Sequence, residues 1–154
     1  MYPSRHFFWG IIFAGILWII APNISWLGFA IILTSTVLID FDHYLLYVVK
    51  KKDLNLRNCY YWYQQKMEKF FALPKQKRKE YYGGFFIFHG FEILLLLAIL
   101  SFLISPLFLF LIAGFAFHLF LDLISDLQLG TSSYKLSLAY NLYKSKKMKH
   151  FKDL

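Results

Sequence analysis

Apolar residues fill four stretches of the chain, and polar residues gather between them. The first run covers about residues 7–21 and stops at Pro22-Asn23. The second covers about 24–49 and stays apolar until Asp40. The third covers about 84–104 and turns at Ser105-Pro106; the fourth covers about 107–129 and halts at Gly130, a helix C-cap signal. A helix needs roughly 20 apolar residues, each rising about 1.5 Å, to cross the hydrocarbon of a bilayer. The pattern predicts an all-α integral membrane protein, a four-helix transmembrane bundle forming one domain over residues 1–154. Tyr2 to His6 extend the short first run through the interface.

The connecting segments have a pattern of their own. In the segment 50–83, Tyr60, Tyr63, Met67 and Phe71 recur at helical spacing against Gln64, Lys66, Glu68 and Lys69. That spacing predicts an amphipathic helix lying in the interface between spans 2 and 3. The basic tail, 131–154, repeats the style with Tyr134, Leu138 and Leu142 set against Lys135, Lys144 and Lys146. Both read as membrane-surface anchors; a sharper reading has them shape an entrance for a lipid headgroup.

Composition supports the lipid setting. Of 154 residues, 58% are hydrophobic and 21% aromatic, more apolar surface than a soluble domain of this size can bury. Net charge is +8, and its distribution fixes an orientation. Of 17 Lys and Arg residues, 10 lie between Lys50 and Lys79, six between Lys135 and Lys152, and the last is Arg5. With four spans, all of these fall on one side, which the positive-inside rule makes cytoplasmic. The expectation is the inner membrane of a prokaryote, with both termini cytoplasmic. The basic segments then serve membrane lipids and their anionic headgroups, not nucleic acid. A homo-oligomer stays open. Cys59 is the one cysteine, which excludes an internal disulfide, and no cleavage site follows the first run, so that run reads as a retained span.

The chemistry lies in the polar residues inside these runs. Five of nine carboxylates (Asp40, Asp42, Glu92, Asp122, Asp126) and four of five histidines (His6, His43, His89, His118) fall within or at the edges of the spans. An ionised side chain at the bilayer centre costs about 3 kcal/mol, so such groups need a partner or a purpose. By depth, every one lies toward the cytoplasmic end of its span. His118 and Asp122 are four apart, His89 and Glu92 three apart, and Asp40 and His43 three apart, so each pair shares a helix face. Asp126 continues the Asp122 stripe, while Asp42 points elsewhere unless the helix unwinds there. His–carboxylate pairs on neighbouring helices are how bundles build metal sites. Taken singly, each histidine also reads as a hydrogen-bonded core residue, and Asp42 and Asp126 as helix-end caps.

Asp40-Phe41-Asp42-His43 resembles the D-x-D-H element of the YdjM-type membrane-bound metal-dependent hydrolases. Gly114-Phe115-Ala116-Phe117-His118 followed by Asp122 is similar to their G-x-x-x-H-x-x-x-D element. His6 and His89-Gly90 fit the order of histidines there, so the resemblance covers about residues 5–126. The chain departs from that pattern where an H-R-G stretch is usual, since Gly84, Phe85 and Phe86 occupy the region.

The resemblance implies attack by a metal-activated water on an ester, expected here to be a phosphoester of a lipid or lipid-like molecule. The expected metal ligands are His6, Asp40, His43, His89, His118 and Asp122. Asp42, Glu92 and Asp126 are candidates for the general base or for groups that orient a histidine. A mixed N/O set suits zinc first, with iron or manganese as alternatives, and holds one or two ions. No G-x-S-x-G and no phosphate-cradling glycine loop is present, which disfavours covalent catalysis. The competing readings are a small metal-ion or proton transporter, a non-haem iron oxidase and a non-catalytic membrane adaptor. The paired histidine boxes of membrane desaturases are absent.

Overall fold

The computed structural model describes residues 3–150, and these are mostly helical. The helices are α1 (Pro3–Ile20), α2 (Trp26–Leu38), α3 (Phe41–Lys51), α4 (Leu56–Ala72), α5 (Lys75–Arg78), α6 (Phe91–Leu103), α7 (Phe108–Leu129) and α8 (Leu138–Lys147). A 3₁₀ turn, Tyr134–Leu136, precedes α8. Among the described residues, the one addition to an all-helical plan is a two-residue parallel pairing of β1 (Tyr81–Tyr82) with β2 (Lys149–His150).

The α2 helix packs against both α1 and α7, and α6 packs against α7. Two glycines bring the three central helices close. A Cβ at Gly114 of α7 would collide with the Ser35 hydroxyl and the Ile32 carbonyl of α2, and one at Gly10 of α1 would collide with the Thr36 hydroxyl. Ser35 and Thr36 are fully buried at these crossings, their hydroxyls donating to Ile32 and Leu33 carbonyls within α2. His118 lies one turn beyond Gly114 and His6 one turn before Gly10. The close approaches therefore fix where both imidazoles enter the interior.

The expected second span, 24–49, is broken. The backbone tightens into a turn at Ile39–Asp40, where the Asp40 N–H donates to the Val37 carbonyl at 3.1 Å, and α3 restarts at Phe41. The expected third span, 84–104, is shorter than its apolar pattern: residues 83–90 form an irregular segment and α6 starts at Phe91. Glycine recurs through that segment, at 83, 84 and 90, and the Phe86 ring packs on that of His43, with centroids 4.1 Å apart. Among the described residues, two helical stretches, Trp26–Lys51 taken through its break and Phe108–Leu129, are long and apolar enough to cross a membrane. Ser4–Ile20 and Phe91–Leu103 are apolar but shorter.

The amphipathic helix expected between 50 and 83 is α4. Asn55 caps its start by accepting from the Arg57 and Asn58 N–H groups, and the Tyr63 hydroxyl ties it to the His43 carbonyl at 2.8 Å. At its exit, Arg78 donates to the Leu129 carbonyl at 3.0 Å and Lys75 to that of Gln128 at 3.3 Å. Cations thus sit at the negative end of the α7 dipole.

Candidate metal centre

Four side chains supply the middle of the site, from three pieces of backbone. Asp40 comes from the break between α2 and α3, His89 from the turn before α6, and His118 and Asp122 from successive turns of α7. The Nε2 atoms of His89 and His118 each lie 3.6 Å from Asp40 Oδ1. They lie 3.6 and 3.9 Å from Asp122 Oδ2. A tetrahedral ion with ligands at 2.0–2.2 Å separates its donors by about 3.3–3.6 Å, so the four atoms stand slightly wider than such a shell.

Two more histidines flank this set. His6 Nε2 is 3.3 Å from Asp122 Oδ1, and the His6 ring stacks on His118 with centroids 3.8 Å apart. His43 Nε2 is 3.6 Å from Asp40 Oδ1, on the more open side of the cluster. The six residues fall into two groups, His6–His118–Asp122 and Asp40–His43–His89, each with ligand atoms within 4.8 Å of one another. Either group could hold a metal ion.

The hydrogen bonds behind the rings orient these donors. His118 Nδ1 is 2.8 Å from the Thr36 carbonyl; a carbonyl only accepts, so Nδ1 carries the proton and Nε2 presents its lone pair to the cluster. His89 Nδ1 is 3.1 Å from Asp42 Oδ2, which also accepts the Phe88 N–H at 3.0 Å. That is the carboxylate–histidine arrangement found behind metal ligands. The break at Asp40 makes it possible: two residues apart on an unbroken helix, Asp40 and Asp42 would diverge by about 200°. Here Asp40 faces His89 Nε2 and Asp42 faces Nδ1 of the same ring.

The donor set passes a test of fit for a cation. Both nitrogens of His6 and the Nε2 atoms of His89 and His118 are buried without a hydrogen-bond partner, as are Asp40 Oδ2 and Asp42 Oδ1. Buried polar atoms are seldom left so, because each forfeits its hydration without replacement. A divalent ion among them would satisfy several at once.

The three candidates for the general base separate in the structure. Asp42 is buried behind His89. Asp126 is one turn beyond Asp122 and accepts the Thr131 hydroxyl at 2.7 Å, next to the left-handed Gly130 that ends α7. Glu92 has left the cluster. Because α6 begins only at Phe91, His89 and Glu92 do not share a helix face, and the Glu92 carboxylate accepts from the Ser137 hydroxyl at 2.8 Å and the Leu138 N–H at 2.9 Å. It anchors the start of α8 instead.

One residue of the site was hidden in the tail. Lys135 Nζ is 3.1 Å from Asp122 Oδ2, with its side chain only 17% exposed. Burial opposes its charge, and the Asp122 and Asp126 carboxylates more than offset that, holding its pKa above the ordinary lysine value. The tail carries it there firmly: the Tyr134 hydroxyl accepts the Gly83 N–H at 2.6 Å, and the Tyr82 hydroxyl donates to Asn141 at 2.6 Å. Nothing in the Lys/Tyr/Leu spacing of the tail set Lys135 apart from a solvated surface lysine.

No family model, curated protein or solved structure matches the chain.

Proposed function

We propose that the protein is a metal-dependent hydrolase embedded in the membrane by four spans, acting at the cytoplasmic face on a phosphoester of a lipid or lipid-like substrate. The observation that carries this reading is the convergence of the partnerless Nε2 atoms of His89 and His118 on the Asp40 and Asp122 carboxylates at 3.6–3.9 Å, from elements far apart in sequence. The resemblance to the YdjM-type hydrolases supports the reaction class. The four-span reading rests on α1, α2–α3, α6 and α7 each bringing polar residues to one end of the packed helices, with the basic segments at that same end. The short α1 and α6 span by using their flanking interfacial residues.

His89, His118, Asp40 and Asp122 would hold the ion, with His6 and His43 on either side to complete its shell or to share a second ion. A divalent cation there supplies Lewis acidity toward an ester oxygen and lowers the pKa of water toward neutrality. Asp42 keeps the His89 ring in the tautomer that leaves Nε2 free. Asp126, one turn beyond Asp122 on α7, would take a proton from an attacking water or hold one for the leaving group. The transporter reading lacks a polar path. Among the described residues no ionisable side chain lies in α1 beyond His6, in α2, in α6 beyond Glu92, or in α7 before His118.

The test is hydrolysis of phospholipid vesicles by the zinc-, iron- or manganese-loaded protein. The reading expects turnover that stops with chelator and with His118→Ala. Loaded protein that releases no phosphate, headgroup or diacylglycerol from any phospholipid class overturns it.

A further inference from the structure

Beside the metal-ligand cluster lies a cavity of ≈ 560 Å³, roofed by α4 and closed at one side by the tail. That is the size of pockets that enclose small organic ligands. Its walls differ from end to end. Near the cluster are Asp40, His43, Phe86 and Lys135, with the His43 ring 4.1 Å from that of Phe86. Away from it the α4 stripe Tyr63, Met67 and Phe71 runs toward Leu129 and Arg78, whose guanidinium lies over the Phe71 ring. From Tyr63 to Phe71 the helix climbs about 12 Å. Four cationic residues, Arg5, Lys66, Arg78 and Lys135, line the cavity against two carboxylates, Asp40 and Asp126. Leu56 and Tyr60, which also line the cavity, and Tyr61 are exposed, as suits a helix lying in an interface.

From this charge balance and apolar length we infer that the cavity binds one anionic amphiphile of the alkyl-phosphate type. Its headgroup lies at Lys135 and its chain along the Tyr63–Met67–Phe71 stripe. The inference deepens the hydrolase reading, because it names the segments outside the cluster that select the substrate. Lys135 is the key group. It already holds a carboxylate oxygen at 3.1 Å, so a phosphate oxygen arriving beside Asp122 meets a donor fixed by the Tyr134 and Glu92 contacts of the tail. Within the stripe, Tyr63, Met67 and Phe71 present aromatic and thioether surface that suits a chain, while Gln64, Lys66 and Arg78 line other parts of the wall.

The test is native mass spectrometry with titration, on the full chain in maltoside micelles stripped of metal, using decyl phosphate, decanol and inorganic phosphate as probes. The expectation is one bound decyl phosphate per chain, with decanol and inorganic phosphate at least about tenfold weaker. Lys135→Gln is expected to weaken decyl phosphate about tenfold, as loss of a charge-assisted hydrogen bond would, while Lys135→Arg restores most of it. Met67→Trp, which fills the middle of the stripe and leaves every cluster residue in place, should block decyl phosphate without altering zinc uptake. Decanol as tight as decyl phosphate, inorganic phosphate as tight as decyl phosphate, or Lys135→Gln and Met67→Trp proteins that bind normally would each overturn the inference. Zinc uptake without decyl phosphate binding would overturn it and spare the metal centre. Decyl phosphate binding by a chain that takes up no metal would uphold it and leave the hydrolase reading to fall alone.

Discussion

Two histidine–carboxylate pairs stand on equal footing in the sequence, and the fold treats them in opposite ways. His118 and Asp122 lie within α7, so their four-residue spacing does bring Nε2 and Oδ2 to 3.9 Å. His89 and Glu92 straddle the start of α6, so the three-residue spacing carries no geometry: the ring turns to Asp40 and Asp42, the carboxylate to the start of α8. A shared face follows from spacing only where both residues are already helical. The same rule runs in reverse at Asp40 and Asp42, whose spacing is wrong for one face of a helix and right for gripping one imidazole across a break.

Mutations can break or sharpen this contrast, and they rank by expected size. His118→Ala removes a ligand whose lone pair is aimed by the Thr36 carbonyl; activity on the substrate should fall by about a thousandfold or more, read as initial rates of ester hydrolysis. Asp42→Asn keeps the shape behind His89 but weakens its orientation, and should reduce metal affinity about 10–100-fold in a competition titration against a chromogenic chelator. Gly114→Val forces a side chain into Ser35 and the Ile32 carbonyl. It should destabilise the fold by about 1–3 kcal/mol, seen as a lower midpoint in thermal unfolding followed by circular dichroism. Glu92→Ala removes only the anchor of α8; it should cost about 1 kcal/mol in the same unfolding experiment and leave metal affinity unchanged. A large loss of metal from Glu92→Ala would erase the distinction between the two pairs.

Much of the fold was legible because it depends on local pattern. The uninterrupted apolar run before His118 and the Gly130 stop gave α7 its limits almost to the residue, and the Tyr63–Met67–Phe71 spacing gave α4 its inward face. Hydropathy could not show the break at Ile39–Asp40 or the late start of α6. Both regions are apolar enough to continue a helix, and what stops them is packing around His89 and the glycines before it. The histidines and aspartates of the cluster were legible through their common depth. Lys135 was not, since its place depends on Tyr134, Asn141 and Glu92 docking the tail on a distant segment. The glycines that let α1 and α7 close on α2 carried no periodic signal either.

The most direct test is elemental analysis of the detergent-purified protein beside the double variant His118→Ala/Asp122→Ala and the single variant Glu92→Ala. The account predicts a stoichiometric divalent metal in the native chain and in Glu92→Ala, and none in the double variant. A native chain without metal after expression with zinc, iron and manganese, or a double variant that keeps its metal, would contradict it.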